Sequence, residues 1–313
     1  MKYLVTGGAG FIGSNIVDEL VKNGEEVRVI DNLSTGKKEN LKNCLKDIEF
    51  INGDLVNYEV ACKITKDVDY VIHQAALPSV PRSIENPIAT NLNNVTATVN
   101  LLFACVKSNN VKRVVQAGSS SAYGNVQTLP KVESMVPNPR SPYAVSKLAQ
   151  EYYGMSFFYS YGLEVISLRY FNVFGPNQRA DSPYSAVIPK FVDAILNKRS
   201  PIIYGDGNTS RDFTYVQNVV NANLLASFCK WPGLPEVINI GTGNNISLNN
   251  LIDLLSELTG NYSKPIHRKE RNGDVKHSLA DIEKAKNLLG YVPTIDLESG
   301  LKKFLKWKQS KII

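Results

Sequence analysis

The chain has 313 residues, of which 43% are hydrophobic and 20% are charged, as is usual for a globular protein with one large or two ordinary domains. Its net charge of +6 is small and spread along the chain, unlike the dense basic stripe of a nucleic-acid-binding protein. No apolar run approaches the roughly 20 residues of a membrane span, and Met1-Lys2 leads directly into a predicted strand. We therefore expect a cytosolic protein that has no signal peptide and binds neither membrane nor nucleic acid.

The cysteines and histidines do not indicate a metal site. No Cys-x-x-Cys pair is present and the histidines are few and dispersed, so neither zinc nor a thioredoxin-type site is expected. The cysteines are Cys44, Cys62, Cys105 and Cys229, and the histidines are His73, His267 and His277.

Short apolar runs alternate with helical patterns in the first half of the chain. The predicted strands are Lys2–Thr6, Glu26–Asp31, Glu49–Ile51, Tyr70–His73, Arg113–Ala117 and Glu164–Leu168. The predicted helices lie around Ile12–Asn23, Asn93–Ser108 and Pro142–Tyr161. This alternation predicts an α/β fold with a doubly wound, Rossmann-like parallel sheet, whose ligands bind at the carboxyl ends of the strands.

A glycine-rich turn between the first strand and the first helix has the spacing of a dinucleotide-binding loop. Its glycines, which permit a tight turn and a close approach of backbone to a pyrophosphate, are Gly7, Gly10 and Gly13. The bare N–H groups and the dipole of the following helix bind phosphates. Asp31 ends the next strand, where a carboxylate binds the adenosine ribose and repels a ribose phosphate, which favours NAD over NADP. The nearby lysines, Lys37 and Lys38, weaken that preference.

Tyr143 has a lysine four residues later, Lys147, which places both side chains on one face of a helix. Ser141 and Pro142 suit the N-cap and the first position of that helix. A tyrosine with its usual pKa of ~10 needs a drop of ~3 units, or ~4 kcal/mol, to act as a base near neutrality. We expect a lysine ammonium and a positive nicotinamide in a dry pocket to supply that drop.

A Tyr–Lys pair of this spacing also occurs on exposed helix surfaces, so the pair alone is weak evidence. Here a predicted strand leads into Ser119 shortly upstream, within a dinucleotide-binding fold. The combination predicts a group that moves a proton and a hydride between a sugar-like alcohol and a nicotinamide.

The regular alternation stops after Gly175-Pro176. Helices are predicted near Ile188–Asn197, Leu248–Thr259 and Asp281–Leu289, and the segments Arg211–Phe213 and Val237–Ile240 are predicted to return to the main body. We therefore predict an NAD-binding Rossmann domain at residues 1–175, with returns near 211–240. A smaller, discontinuous α/β domain at residues 176–210 and 241–313 is predicted to bind the substrate.

These motifs resemble the extended short-chain dehydrogenase/reductase family, in particular its nucleotide-sugar epimerases and dehydratases. The resemblance covers nearly the whole chain and is carried by Thr6–Gly13, His73–Ala76, Ser119–Gly124, Ser141–Tyr143, Arg169–Pro176 and Gly205–Phe213. It implies a bound NAD, a UDP-sugar substrate and a homodimer whose helices Asn93–Ser108 and Pro142–Tyr161 pack against their copies.

The resemblance also implies roles for individual residues. Tyr143 and Lys147 match the catalytic pair, and Ser119 matches the hydroxyl that hydrogen-bonds the reacting sugar oxygen. Residues that match contacts to the nucleotide diphosphate are Asn172, Arg211 and Arg271. Guanidinium groups bind a diphosphate through charge-assisted contacts, although either arginine is equally able to pair with a surface carboxylate.

Three sets of site residues are predicted in this way. The catalytic set is Ser119, Ser120, Tyr143 and Lys147. The cofactor-binding set is Gly7, Gly10, Phe11, Ile12, Gly13, Asp31, Asn32, Ser34, Gly36, Asp54, Leu55, Gln74, Ala75, Ala76, Tyr143, Lys147 and Tyr170. The substrate-binding set is Ser79, Arg82, Ser121, Asn172, Val187, Lys190, Tyr204, Arg211, Arg271 and Ser278. Of these, Asp54 either meets the adenine or only caps a turn.

The residues after Ser119 distinguish the reactions of the family. The dehydratases carry Asp-Glu at the positions of Ser120 and Ser121, and the decarboxylases carry a glutamate at the second of them. Serines cannot do that acid–base work, so the resemblance implies an epimerase that inverts C4 through a transient 4-keto sugar.

The size of the sugar pocket is predicted from one position. In the related 4-epimerases the residue seven after the Arg271 equivalent lines this pocket, and a small residue there admits an N-acetyl group. Here that residue is Ser278. We predict interconversion of UDP-N-acetylglucosamine and UDP-N-acetylgalactosamine, or alternatively a roomy pocket that also takes UDP-glucose and UDP-galactose.

Two further alternatives remain open at the level of sequence. Arg82 and Ser83 are able to hold a C6 carboxylate, which would make the protein a UDP-uronate 4-epimerase. Some members of the fold bind a dinucleotide and catalyse nothing, but such proteins typically lose the tyrosine or lysine that is present here. Gln74 departs from the leucine of many relatives and adds a polar group near the sugar or cofactor.

Overall fold

The structure of this chain, a computed structural model, describes residues 1–180, 186–270 and 276–311. Its strands are β1 (Lys2–Thr6), β2 (Glu26–Asp31), β3 (Ile48–Asn52), β4 (Tyr70–His73), β5 (Arg113–Ser119), β6 (Glu164–Tyr170), β7 (Val173–Phe174), β8 (Ile202–Tyr204), β9 (Ser210–Arg211), β10 (Thr214–Tyr215), β11 (Glu236–Ile240), β12 (Ile246–Ser247) and β13 (Ile266–Arg268). Its α-helices are α1 (Phe11–Lys22), α2 (Tyr58–Ile64), α3 (Val80–Glu85), α4 (Pro87–Asn91), α5 (Ala97–Ser108), α6 (Pro142–Tyr161), α7 (Val187–Leu196), α8 (Val216–Phe228), α9 (Leu248–Thr259), α10 (Glu283–Leu289) and α11 (Leu297–Gln309). Lys38–Leu41 and Ser120–Tyr123 form 3₁₀ turns, and Leu92–Thr96 forms a π-helical turn.

A seven-stranded sheet carries the site. Its order is β11-β6-β5-β4-β1-β2-β3, and every pair in it is parallel. From β1 the chain first adds β2 and β3 on one side of the sheet and then adds β4, β5, β6 and β11 on the other side. A topological switch point therefore lies between β1 and β4. Ligands of such sheets bind at the carboxyl ends of the strands at that point. The predicted Rossmann-like α/β fold is confirmed.

The predicted strands are all present, and the predicted return at Val237–Ile240 is β11, which pairs with β6. The strands β5 and β6 run further than predicted, to Ser119 and Tyr170, which are paired with each other. The other predicted return, Arg211–Phe213, does not join the main sheet: β9 pairs with β12 and β10 pairs with β7. The extended β5 makes Ser119 the last residue of a central strand.

Apolar clusters cover both faces of the sheet, and one of them packs β5, β6 and β11 against α8 and α10. On β1, Tyr3 and Val5 face one core, which includes residues of α1, and Leu4 faces the other, which includes residues of α5 and α6. Alternate residues of a strand point to opposite faces, so a strand buried on both sides consists of apolar residues throughout. The buried sheet therefore holds the carboxyl ends of its strands in a fixed arrangement.

The second half of the chain continues the core on the α1 face. Apolar residues of α7, α9 and α11 belong to the same cluster as Val5, and Phe174 packs edge-on against both Tyr215 and Phe304. No helix of the described residues is long and apolar enough to cross a membrane. The division into two domains and the cytosolic location stay predictions.

Candidate active site

The glycine turn after β1 forms a cradle that side chains would fill. Gly7 has a φ of 65°, and a Cβ added there would lie 2.7 Å from the Ala75 backbone nitrogen. A Cβ at Gly13 would overlap the Gly7 carbonyl oxygen. Gly10 caps α1 without a side chain, and the N–H groups of a first helical turn have no partner within the helix. This cradle suits the pyrophosphate of a dinucleotide.

Asp31 lies at the end of β2, directly beside the cradle. The side chain is 8% exposed, and its carboxylate accepts hydrogen bonds from the Ala9 N–H at 3.0 Å and the Leu33 N–H at 2.8 Å. Burial raises the pKa of Asp31, and the two backbone donors oppose that rise. Gly36 lies against the same carboxylate, because a Cβ at Gly36 would be 2.9 Å from Asp31 Oδ2. Asp31 therefore both braces the glycine turn and faces the cleft.

Asp54 follows β3 and caps a turn, which is one of the two roles considered for it. Its carboxylate accepts from the Val56 N–H at 2.9 Å, which caps the turn, and from Asn32 Nδ2 at 2.9 Å. Both Asp54 and Asn32 also line the cleft. A contact of Asp54 with the adenine stays a prediction.

A cleft of about 220 Å³ connects the glycine turn to Tyr143. Every residue predicted to bind the cofactor lines it except Gly36, which lies behind Asp31. The lining residues that the sequence did not predict are Ile30, Thr35, Gly53, Leu77, Pro78, Asn93, Ala97, Ala117 and Gly118. Most of them adjoin predicted residues at strand ends, where a wider window would have included them. Asn93 and Ala97 come from the helical region before and within α5, and no motif signalled them.

The catalytic side chains meet at the end of β5. Ser141 accepts a hydrogen bond from the Ala144 N–H at 3.2 Å, so the predicted N-cap of α6 is confirmed. Ser119 ends β5 beside Tyr143 and lowers the pKa of the Tyr143 hydroxyl, and Lys147 Nζ donates to the Ala117 carbonyl oxygen at 2.9 Å. The structure therefore brings together the serine, the tyrosine and the lysine that the sequence separates.

The pKa of Tyr143 is raised in the polypeptide alone, so the drop predicted beside a bound nicotinamide stays a prediction. Burial raises the pKa of Tyr143, and only its hydrogen bond to Ser119 opposes the rise. Burial also lowers the pKa of Lys147 to about 8, against the opposing charge of Glu151. The lysine thus remains an ammonium at neutral pH, whereas the tyrosine is a neutral phenol in the polypeptide alone. The cause is desolvation, which disfavours the charged form of each group.

Ser119 caps the 3₁₀ turn that contains Ser120 and Ser121. Ser119 Oγ accepts from the Ser121 N–H at 3.2 Å, and the two hydroxyls are 2.8 Å apart. Ser120 lies between them in the 3₁₀ turn. Ser119 is therefore hydrogen-bonded to Ser121, and it is the member of the cluster that lowers the pKa of Tyr143.

Part of the predicted substrate set converges beyond β6. Asn172 Nδ2 donates to the Asp212 carbonyl oxygen at 2.9 Å and approaches Ser278 Oγ at 3.4 Å. Ser278 is 8% exposed, and its N–H donates to the Ser210 carbonyl oxygen at 3.0 Å. Arg211 Nη1 donates to the Ser210 and Lys276 carbonyl oxygens at 2.9 and 3.0 Å. Arg271 lies outside the described residues.

The other predicted substrate residues lie on separate elements. Ser79 caps α3 with a φ of 113°, a region that side chains rarely adopt, and accepts from the Arg82 N–H at 3.3 Å. Val187 and Lys190 belong to the first turn of α7, and Tyr204 ends β8. In the described part of the chain, the residues lining the Tyr143 cleft include none of the predicted substrate set. The sugar side of the site therefore stays a prediction.

Two of the predicted cofactor residues, Gln74 and Tyr170, belong to a polar network that the sequence did not indicate. Gln74 Nε2 donates to the Tyr170 hydroxyl at 2.9 Å and to Asn223 Oδ1 at 3.2 Å, and Asn223 Nδ2 donates to the same hydroxyl at 2.9 Å. Gln74 and Tyr170 follow or end strands on either side of β5, and Asn223 comes from α8. The extra amide of Gln74 is thus tied to a cleft-lining tyrosine, and nothing in the sequence indicated Asn223.

Comparisons with known proteins identify relatives along the whole chain. Residues 3–241 match the family described as NAD dependent epimerase/dehydratase. A UDP-N-acetylglucosamine 4-epimerase from Methanobrevibacter ruminantium M1, solved in complex with UDP-N-acetylmuramic acid, is 44% identical, with a TM-score of 0.94 over 99% of this chain and 98% of that chain. A putative UDP-glucose 4-epimerase from Methanocaldococcus jannaschii is 42% identical over 98% of both chains. A UDP-glucuronate 4-epimerase from Thermodesulfobacterium geofontis is 38% identical over 99% of this chain and 97% of its own.

Proposed function

The chain belongs to the NAD dependent epimerase/dehydratase family, and from that premise we propose that it is an isomerase that inverts C4 of a UDP-sugar. The substrate that we propose is UDP-N-acetylglucosamine, which would be interconverted with UDP-N-acetylgalactosamine. The observation that carries the proposal is that Tyr143 and the buried ammonium of Lys147 line one cleft with the glycine cradle.

In the proposed reaction, Tyr143, Ser119 and Lys147 have different roles. When bound, NAD supplies the hydride acceptor, later the hydride donor, and a second positive charge beside Tyr143. Tyr143 takes the proton from the sugar O4 and returns it after the ketone has turned over in the pocket. Ser119 holds the reacting oxygen and the phenol in hydrogen-bonding reach of each other. The ammonium of Lys147, fixed on the Ala117 carbonyl, stabilises the phenolate.

The serine cluster supports an epimerase over the other reactions of the family. Elimination of water needs an acid and a base next to Ser119, and those positions are Ser120 and Ser121. Ser121 is hydrogen-bonded to Ser119 and adds no titratable group near neutral pH. The proton shuttle of Tyr143 is then the acid–base chemistry that remains.

The size and position of Ser278 support an N-acetylated sugar. The residue is small, and its hydroxyl adjoins Asn172, which is predicted to contact the diphosphate. Ser83, one half of the predicted carboxylate site of a UDP-uronate epimerase, is fully buried, and its hydroxyl donates to the Val80 carbonyl oxygen at 2.7 Å. That hydroxyl is committed to α3, so the observation favours the N-acetylated sugar over the uronate.

A panel of UDP-sugars tests the proposal. The purified protein is incubated separately with the N-acetylated, plain and uronic acid sugars, and the C4 epimers are separated by chromatography. We expect the N-acetylated pair to give the highest kcat/KM. Turnover of the uronate alone would refute the substrate, and bound NAD without turnover of any sugar would support the non-catalytic dinucleotide sensor instead.

We also propose the division of the chain into an NAD-binding part (residues 1–175) and a sugar-nucleotide part (residues 176–210 and 241–313). The predicted cofactor residues all lie in the first part, and α7, β8 and Ser278 lie in the second. The proposed homodimer is supported by exposed apolar side chains on the helical side formed by α3 to α6, namely Ile84, Ile88, Leu92, Val145 and Tyr152. Light scattering of Ile88→Glu against the unchanged chain tests the dimer, because a buried charge would dissociate it.

A further inference from the structure

A buried ion pair lies directly behind Lys147 and takes no part in the mechanism above. Arg169, on β6, donates from Nε to Glu151 Oε1 at 2.9 Å and from Nη2 to Oε2 at 2.7 Å. The two side chains are only 4% and 2% exposed. The double contact fixes the carboxylate in one place. Because desolvation offsets most of the attraction in a buried pair, stability alone does not account for its presence.

The carboxylate and the ammonium flank the same peptide group of β5. Tyr143, Lys147 and Glu151 follow one another at intervals of four residues on α6, so all three share one helix face. Lys147 Nζ donates to the Ala117 carbonyl oxygen at 2.9 Å. Glu151 Oε1 lies so close to the next residue, Gly118, that a Cβ added there would be 3.0 Å from it. Glu151 is therefore the anion adjacent to the catalytic lysine.

In the described part of the chain, the other titratable groups of the surrounding strands and turns place no negative charge on Lys147, and the charge of Glu133 acts on Tyr123. His73, at the end of β4, is fully buried, and its burial together with the charge of Lys147 lowers its pKa to about 3, so it is neutral. Burial raises the pKa of Tyr143 and of Tyr123, so both are neutral phenols in the polypeptide alone. Arg169 adds a positive charge, and its guanidinium carbon lies 4.7 Å from the centre of the Tyr123 ring.

The helices that pack against α6 bring few charges to this region. The helix α4 has no charged residue, α5 carries Lys107 in its last turn, and α3 carries Arg82 and Glu85. Among the described residues, burial lowers the pKa of Lys147 and the charge of Glu151 raises it. The carboxylate of Glu151 is therefore the charge that acts on the ammonium, and Arg169 holds that carboxylate.

We propose that Glu151 is a positioning residue that keeps the ammonium of Lys147 charged and in place, and that Arg169 limits this effect by pairing with the same carboxylate. The activity readout of this proposal rests on the proposed epimerase function. Glu151 thus favours the charged form of Lys147, and Arg169, by pairing with the same carboxylate, opposes that effect. If the salt bridge were purely structural, removing either partner would break the same contact, and the two removals would affect Lys147 in the same direction.

The test compares two substitutions that break the same ion pair. In Glu151→Gln the guanidinium stays and the anion is lost, so the pH at which the rate falls on the alkaline side moves down, by about one unit. Burial raises the pKa of Glu151, and Arg169 and Lys147 oppose that rise. In Arg169→Met the carboxylate loses its neutralising partner but keeps Lys147, so we expect it to stay ionised on the alkaline side and the same limb to move up. The measurement is kcat against pH, with saturating NAD, for whichever UDP-sugar the protein turns over. Glu151→Asp, which keeps the charge, is expected to keep the limb near its position in the unchanged chain.

Unfolding of the full chain provides a readout that needs no substrate. The folded chain binds the Lys147 proton more weakly than the unfolded chain does, so the charged lysine costs stability at low pH, and the cost shrinks as the pH rises above about 8. Lowering this pKa further adds to the cost at pH 6.5 and adds little at pH 8.5. Glu151→Gln is therefore expected to raise the unfolding constant about tenfold more at pH 6.5 than at pH 8.5. Urea unfolding at a fixed, saturating NAD concentration measures this, and in a Lys147→Met background the pH dependence disappears.

These two readouts separate the proposal from the proposed function. Opposite movements of the alkaline limb in Glu151→Gln and Arg169→Met support the proposal, and movements in the same direction, or none, overturn it. If no UDP-sugar is turned over, the proposed function fails, and the unfolding experiment still decides the role of Glu151. Equal destabilisation by Glu151→Gln at both pH values overturns that role.

Discussion

The proposed cofactor side and the proposed sugar side of this site are built from different kinds of backbone. The proposed cofactor side uses the carboxyl ends of adjacent strands of one sheet, with both faces buried. The proposed sugar side joins Asn172, Arg211 and Ser278, which are held together by two-residue pairings and single hydrogen bonds. Loops tolerate change better than sheets do, so we expect this division to keep the proton and hydride chemistry fixed while the sugar contacts are free to vary.

The largest effect is expected on the fixed side, from Tyr143→Phe. Phenylalanine keeps the ring and removes the hydroxyl at the cleft, so the proposed proton shuttle is lost. We expect kcat to fall by roughly 10³-fold or more, with NAD still bound. Chromatographic assay of the C4 epimers, together with the NAD content of the purified variant, measures both quantities. An undiminished kcat would remove Tyr143 from the mechanism.

Gly7→Ala should damage the same side in another way. A methyl group there meets the Ala75 backbone, and alanine is strained at a φ of 65°. Backbone must move away from the site of the pyrophosphate, so we expect the affinity for NAD to fall by roughly tenfold to a hundredfold. Calorimetric titration with NAD gives the affinity. The matched control is Gly24→Ala, which has a similar positive φ but open space around its Cβ, and should leave NAD binding unchanged.

The pH dependence of the rate gives a third comparison. Because burial lowers the pKa of Lys147 to about 8, the ammonium is present below that pH and is lost above it. If the cation is required, kcat falls about tenfold per pH unit on the alkaline side. Lys147→Arg keeps a positive charge throughout this range, so a slower variant without the alkaline limb is expected. A limb that persists in Lys147→Arg would assign it to another group.

The residues predicted to bind the cofactor line one cleft, and the sequence could indicate them because their signals are local. The glycine turn, Asp31 and the Tyr143–Lys147 pair are each defined within a few residues, and a parallel sheet places the strand ends together whatever the loop lengths. Even the proximity of Ser119 to Tyr143 follows from this rule, once the strand β5 is recognised.

What the sequence did not reveal depends on contacts between distant segments. Asn223 reaches Tyr170 from α8, a separation of 53 residues, and no spacing rule indicates that pair. The rise in the pKa of Tyr143 has the same origin, because it reflects how completely other elements bury the hydroxyl. The sequence showed which groups are near one another along a helix, and it did not show how dry their surroundings are.

The smallest of these effects is expected from Ser278→Tyr. This substitution tests whether the proposed sugar side can change without affecting the cofactor side. The serine is nearly buried beside Asn172, so a tyrosine has to displace its neighbours or fill the space proposed for the N-acetyl group. Overpacking of this kind costs about 1 kcal/mol or more, so kcat/KM for the N-acetylated sugar should fall roughly fivefold relative to UDP-galactose. NAD affinity should not change, because Ser278 is not among the described residues that line the Tyr143 cleft. Equal losses on both sugars would show that Ser278 supports the fold of this region without selecting the sugar, and a loss of NAD affinity would mean that the two sides are not independent.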